Sequence, residues 1–431
     1  MPDTLPVQPV TSPLNAVIDL PGSKSITNRA LMMAALADGS SRISGALFCD
    51  DTRYMCAALQ RLGIPIIADV KGCAYEVRGM GGVFPSTSVD LFVGNSGTSA
   101  RFLTAALALG NGTYRLDGVP RMRQRPINDL LTALRELGVD VRAEHNDECL
   151  PLIIRAAGLR GGHAVMRADM SSQFLSALLM VASYGMEPVE IELHGKMSSE
   201  PYVELTLLMM RQWGVDCSRS DRDLFTILNG QRFIAQDYSV EPDATSASYF
   251  FAAAAVTNGR VRVNHLTQDS LQGDTAFIDV LAQMGCEVTR GKDFIEVQGT
   301  STLHGVDVDM NRISDTVMTL AAIAPFADSP TIIRNVAHIR NKESDRIKAL
   351  CNELIRLGVQ AEARADGLII QPCKEMKPAL IETYDDHRMA MSFTITGLRS
   401  PGVVIHDPEC VGKTFPDFFQ RIRLMREQNY V

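Results

Sequence analysis

The sequence predicts an α/β protein made of six copies of one module of about 73 residues, with helices inside, strands outside, and three modules in each of two globular halves. Three observations predict it. Five amphipathic helical stretches each stop at a glycine followed by a short β-type run, and those glycines, Gly63, Gly138, Gly214, Gly285 and Gly358, recur about every 71 to 76 residues. Six more apolar helical stretches alternate with them, at 29–36, 101–109, 174–183, 246–256, 316–326 and 389–398. Each of the six is apolar nearly all round, the pattern of a buried core helix, yet each starts in a polar cluster.

In chain order, the leading stretch 7–19 reads as a strand expected to pair with the second half. Each later module then runs from its apolar helix to the amphipathic one. The terminal glycine supplies a left-handed cap, and the branched residues after it enter a strand, as in Leu134-Arg135-Glu136-Leu137-Gly138-Val139. The sixth module is cut short, because the helical stretch 418–427 runs into the end of the sequence. The boundary between halves is expected near 236–241, which gives one domain over 20–239 and a second over 1–19 plus 240–431. An open solenoid is the competing arrangement, but its buried helices need no polar starts.

Composition narrows the function classes. The 431 residues are 46% hydrophobic and 21% charged, which fits a folded soluble chain, and the net charge of −8 argues against nucleic-acid or anionic-membrane binding. Nine cysteines are scattered without a Cys-x-x-Cys pair, so neither a disulfide framework nor a cysteine-rich metal site is expected. Residues 1–20 hold no Lys or Arg, and apolar runs such as 250–256 fall far short of a membrane helix; a cytoplasmic location is expected.

The polar helix starts carry the chemistry. In the first half they are Gly22-Ser23-Lys24-Ser25 with Asn28 and Arg29, Gly94-Asn95-Ser96-Gly97-Thr98 with Arg101, and Ser171-Ser172-Gln173. Small residues there leave backbone N–H groups open at the positive end of a helix, a ready anion site; simple N-capping is the alternative. Arg121, Arg123 and Arg125 follow, with Pro126 suited to a first helical turn and a solvated face the plain reading for the first two. The second half puts Asp243, Asp315 and Asp385-Asp386-His387-Arg388 at its helix starts, where capping is again the alternative. Arg340-Asn341-Lys342-Glu343-Ser344-Asp345-Arg346 is expected to open a helix, with Lys342 and Arg346 on one face and Glu343 beside them. Together with Arg388 and Lys413 this suits a ligand carrying phosphate and carboxylate beside a general acid or base. Gly412-Lys413-Thr414 is no nucleotide loop, because Asp407 stands where that motif needs glycine. Signatures of zinc proteases, serine hydrolases and dinucleotide binding are missing from the sequence.

These motifs, with Arg125-Pro126-Ile127, Lys342-Glu343-Ser344-Asp345-Arg346, Asp386-His387-Arg388-Met389-Ala390-Met391 and Lys413-Thr414-Phe415-Pro416-Asp417, closely resemble the 5-enolpyruvylshikimate-3-phosphate synthase family across the whole chain. The resemblance implies a two-domain inside-out α/β barrel, the enolpyruvyl transferase fold, with six βαβαββ repeats. It implies a monomer without metal or cofactor that joins phosphoenolpyruvate to shikimate 3-phosphate between its halves and releases phosphate, in the route to chorismate and the aromatic amino acids. Carried over by motif, Lys24, Ser25, Arg29, Ser171, Ser172, Gln173, Ser199, Tyr202, Asp315, His338 and Lys342 contact shikimate 3-phosphate. Lys24, Asn95, Gly97, Arg125, Gln173, Arg346, Arg388 and Lys413 contact phosphoenolpyruvate. Asp315 is the base for the 5-hydroxyl, Glu343 the acid for the methylene carbon with Lys24 its competitor, and His387 either a proton relay or a structural residue. Asp386 is expected to orient Arg388 or Lys413.

Two positions depart from the family pattern: Phe102, behind the phosphoenolpyruvate pocket, and His338, where some members have asparagine. Both bear on sensitivity to glyphosate, the family's inhibitor. Two rival readings remain in view. The sister enolpyruvyl transferase acting on UDP-N-acetylglucosamine typically carries a cysteine in the loop matching 119–125, and this sequence has none there. A non-catalytic ligand-binding member of the fold would be expected to have lost Lys24, Asp315 or Glu343, and all three are present.

Overall fold

The computed structural model describes residues 3–145, 148–221 and 223–428, so positions 1–2 and 429–431 of the expected second domain lie outside the described residues. The chain divides into two compact units, a first of Gly22–Val240 and a second of Met1–Pro21 with Glu241–Val431. The described residues form twelve α-helices: α1 (Lys24–Leu36), α2 (Asp50–Arg61), α3 (Gly97–Ala106), α4 (Asn128–Glu136), α5 (Ser172–Ala182), α6 (Pro201–Gln212), α7 (Ala244–Thr257), α8 (Phe277–Gln283), α9 (Val317–Ile323), α10 (Arg346–Arg356), α11 (His387–Arg399) and α12 (Phe418–Glu427). None is long and apolar enough to cross a membrane.

In the first unit the odd-numbered helices α1, α3 and α5 are buried almost end to end. Three four-stranded sheets surround them. In one, Ser88–Phe92 runs parallel to Asn111–Asp117, which pairs antiparallel with Leu152–Ala157 and through it with Asp140–Ala143. Gly162–Arg167, Val189–His194, Leu224–Ile227 and Ser218–Arg219 repeat that order. Burial alternates along such strands, so one face packs on helices and the other meets water. The third sheet has the same order but takes its first strand, Asp237–Ser239, from the far end of the unit, parallel to Asp38–Ser44.

The second unit is built likewise around α7, α9 and α11, whose aromatic and aliphatic side chains, Phe250 and Phe251 among them, are wholly buried. Full burial of one such side chain contributes about 1.5 to 3 kcal/mol. Here the borrowed strand is Asn15–Ile18, parallel to Arg260–Asn264. A second leading strand, Thr4–Pro6, pairs antiparallel with Val403–His406 and stands where other modules have a hairpin. The expected strand over 7–19 is therefore two short strands, of which only Asn15–Ile18 lies inside that stretch.

Three local expectations are corrected. The helix expected at 316–326 is α9, preceded by a 3-10 turn at Asn311–Thr316 and followed by another at Ala324–Phe326, where Pro325 has no N–H to continue the ladder. Pro126 precedes α4 by two residues and is not in its first turn. Lys342 and Glu343 lie before α10, not on it: Asp345 caps the helix by accepting from the Lys348 N–H at 3.1 Å, so the chain turns away upstream.

Candidate active site

Each unit gathers charged residues at the starts of its buried helices. In the first unit Ser23, Ser96 and Ser171 cap α1, α3 and α5, accepting from the N–H groups of Ile26, Ser99 and Gln173. Their hydroxyls therefore serve the helices, as the capping reading holds. The groups beside them do more. Lys24 Nζ stands 3.3 Å from Asp51 Oδ2 at the start of α2, both largely buried, while the Ser99 hydroxyl donates to the Asp51 carbonyl at 3.1 Å. Asp51 thus links α2 to α1 through its carboxylate, which faces the Lys24 ammonium, and to α3 through its backbone carbonyl. Sequence reasoning missed Asp51, which looks like any acidic residue in a helix's first turn.

Arg29 is buried below this layer. Its guanidinium donates to Thr206 Oγ1 at 2.8 Å, the Tyr202 carbonyl at 3.0 Å, the Ser25 carbonyl at 3.2 Å and Ser176 Oγ at 3.3 Å. It lies 5.2 Å from the centre of the Phe102 ring. All four acceptors are neutral, and burial lowers the guanidinium to about 10, opposed by Tyr202; it stays cationic at neutral pH. A buried cation paired only with neutral oxygens favours an anion nearby. Phe102, expected behind a ligand pocket, is the floor under this cation.

Arg125 is buried and donates to the Asn95 carbonyl at 3.2 Å, and an atom added at Gly97 would strike its guanidinium. That glycine leaves room for the arginine. Gln173 Nε2 donates to Thr98 Oγ1 at 3.4 Å, joining α5 to α3. Arg123 pairs instead with Asp117 at 2.7 Å and Arg121 with Gln124 at 3.4 Å, so these two belong to the solvated face. Ser172 is buried beside the Ser171 cap, and Ser199, also buried, has φ of 51° just before α6, where Tyr202 sits in the first turn. Asn28 is wholly buried with both amide atoms lacking a partner among the described residues.

The second unit holds a denser cluster. Arg346, the first residue of α10 and 1% exposed, donates to Asp386 at 2.9 Å, Glu343 at 2.9 Å and Asp315 at 3.2 Å. Burial works to lower its pKa, but Asp386, Glu343 and Asp315 outweigh that and raise it. Arg388 takes the other oxygen of Asp315 at 2.7 Å and reaches the Tyr249 hydroxyl at 3.3 Å. Lys413 Nζ is 4.0 Å from Glu343. Three carboxylates and three cations so share one buried layer, with charges matched and geometry fixed from several elements.

Asp386, expected to orient Arg388 or Lys413, has further partners as well. Its carboxylate accepts from Arg346, the Ser344 hydroxyl at 2.9 Å and the Arg388 backbone N–H at 3.1 Å, so it orients Arg346 and caps α11. Asp315 caps no helix; its side chain serves the two arginines instead. His387 is wholly buried with Nδ1 3.6 Å from Asp386. His338 is buried and pushed down to about 3 by burial and by Lys342, so its imidazole is neutral. The Asp385 carboxyl is raised by burial, against the pull of Lys413. Among the described residues no group of three or more His, Cys, Asp and Glu could hold a metal ion.

Such a layer can grip a multiply charged anion with guanidinium and ammonium groups while keeping carboxylates for proton transfer. Known proteins agree in character. Residues 9–422 match the family model described as EPSP synthase (3-phosphoshikimate 1-carboxyvinyltransferase). The chain is 53% identical to a protein of Trichormus variabilis named 3-phosphoshikimate 1-carboxyvinyltransferase, over 97% of this chain and 98% of the relative. It is 44% identical to a Vibrio atlanticus protein of the same name, over 98% and 99%. An EPSP synthase structure from Acinetobacter baumannii superposes with a TM-score of 0.81 at 25% identity, covering 98% of each chain.

Proposed function

The chain belongs to the EPSP synthase family, and from that premise we propose that it transfers the enolpyruvyl group of phosphoenolpyruvate to the 5-hydroxyl of shikimate 3-phosphate, releasing inorganic phosphate. The observation that carries the reading to the level of residues is the buried layer of Arg346, Arg388 and Lys413 interleaved with Asp315, Glu343 and Asp386. A small trianion that gains and loses charge at different oxygens needs several fixed cations rather than one.

In this reading Arg346, Arg388 and Lys413 hold phosphoenolpyruvate, joined by Lys24, Asn95, Gly97, Arg125 and Gln173. Ser25, Arg29, Ser171, Ser172, Ser199, Tyr202, His338 and Lys342 hold shikimate 3-phosphate, with Lys24, Gln173 and Asp315 shared. Asp315 takes the proton of the 5-hydroxyl as its oxygen bonds to carbon 2 of phosphoenolpyruvate, and Glu343 delivers a proton to carbon 3. The adduct then loses a proton from the new methyl group, the carbon–oxygen bond to phosphate breaks, and the double bond returns. Lys24 competes with Glu343 for the acid's role, and His387 is buried next to Asp386 as a relay. The protein acts as a cytoplasmic monomer without a cofactor.

A coupled phosphate assay tests the proposal. Phosphate release from phosphoenolpyruvate with shikimate 3-phosphate, and none with UDP-N-acetylglucosamine, is the expected result; release with the nucleotide sugar alone overturns it.

A further inference from the structure

Just ahead of Asp386 the chain makes a turn that ordinary side chains disfavour. Tyr384 and Asp385 both have left-handed backbone, φ 58° and 53°, and the Asp386 N–H closes the turn on the Thr383 carbonyl at 2.9 Å. Turns with two positive φ angles favour Asn and Gly, and tyrosine gains nothing there by itself. Such a conformation persists only where its surroundings enforce it.

The enforcing group is Glu353, on α10 two turns beyond Arg346. Its carboxylate is fully buried. It accepts the Tyr384 phenol at 2.7 Å and the Glu382 N–H at 3.0 Å, and pairs with Arg356 at 3.1 Å. Burial and Glu353 together push the Tyr384 phenol up, so it stays a donor. The same helix grips the far side of the turn through Arg346 and Asp386. One element therefore clamps segment 382–386 at both ends, and α11 with Arg388 starts directly after it.

Resting on the reading of Arg346 and Arg388 as phosphoenolpyruvate ligands, we infer that Glu353 is a positioning residue for that substrate: it holds the strained Tyr384-Asp385 turn, and the turn sets where Arg388 and Asp386 stand. A carboxylate that only braced the fold would, on removal, lower the melting temperature and leave the kinetics of the folded enzyme alone. The test compares wild type, Tyr384→Phe and Glu353→Gln in the phosphate assay, with shikimate 3-phosphate saturating, phosphoenolpyruvate varied and thermal melts in parallel. Tyr384→Phe removes one hydroxyl from a ring that is 40% exposed, so it keeps the experiment decisive even where Glu353→Gln does not fold. The expected result is a KM for phosphoenolpyruvate raised about tenfold in each folded variant, with kcat within about threefold of wild type. A rise of less than about threefold in folded Tyr384→Phe, whatever its melting temperature, overturns the inference. Absence of turnover in the wild type is a different failure: it removes the functional reading itself and the inference with it.

Discussion

Glu343 stands between two cations, Arg346 at 2.9 Å on one oxygen and Lys413 at 4.0 Å on the other. Replacing it with glutamine keeps the shape and one acceptor but removes the exchangeable proton. The proposed acid role therefore predicts that Glu343→Gln lowers kcat by at least about a thousandfold while phosphoenolpyruvate still binds, measured by turnover and by titration calorimetry. His338 offers a pH test. Its folded pKa of about 3 lies below the ordinary value of 6.5, so the unfolded chain binds a proton that the folded one refuses. The stability this group contributes is full above pH 6.5 and is lost as pH falls towards 3. Melts of wild type and His338→Asn across pH 7 to 4 are expected to show a steeper acid loss in the wild type. Asp315, Arg346 and Lys342 act on position 338 in both proteins, so the difference reports the imidazole.

Helix ends decide where these side chains stand. Asp345 caps α10 directly before Arg346, and loss of a cap costs about 1 kcal/mol. Asp345→Ala is therefore expected to lower the melting temperature of the second unit by roughly 2–4 °C, read by calorimetry. The five repeat glycines were legible in the sequence because one backbone conformation serves one purpose: each has φ between 85° and 100° at a helix end. Apolar helices were legible for a similar reason, since full burial leaves no polar face to encode. Lys342 and Pro126 were misplaced because a cap and the residues just outside it share the composition of a first turn, and only the direction of one side chain separates them. Asp51 and Glu353 escaped notice because their partners, Lys24 for the one and the Glu382 N–H and Tyr384 phenol for the other, lie 27 and about 30 residues away, beyond any helical or strand spacing. The family motifs supplied residue types for the layer around Arg346; the bond from Arg346 to Asp386, across 40 residues, required coordinates.

At the scale of the molecule the two units differ in how they are assembled from the chain. The first closes all three of its sheets with strands from Gly22–Val240, whereas the second needs Thr4–Pro6 and Asn15–Ile18. Deleting residues 1–19 is expected to strip hydrogen-exchange protection from Arg260–Asn264 and Val403–His406 while Asn111–Asp117 keeps its own, read by mass spectrometry. Synthesis on the ribosome meets the same arrangement in time. Thr4–Pro6 emerges early, and its partner Val403–His406 is translated almost 400 residues later, a wait of roughly 20 to 80 s at 5–20 residues per second. Once Asp237–Ser239 has been made the first unit has every strand it needs, while Thr4–Pro6 still waits as an unpaired edge, the stretch of nascent chain on which a chaperone has the most to do.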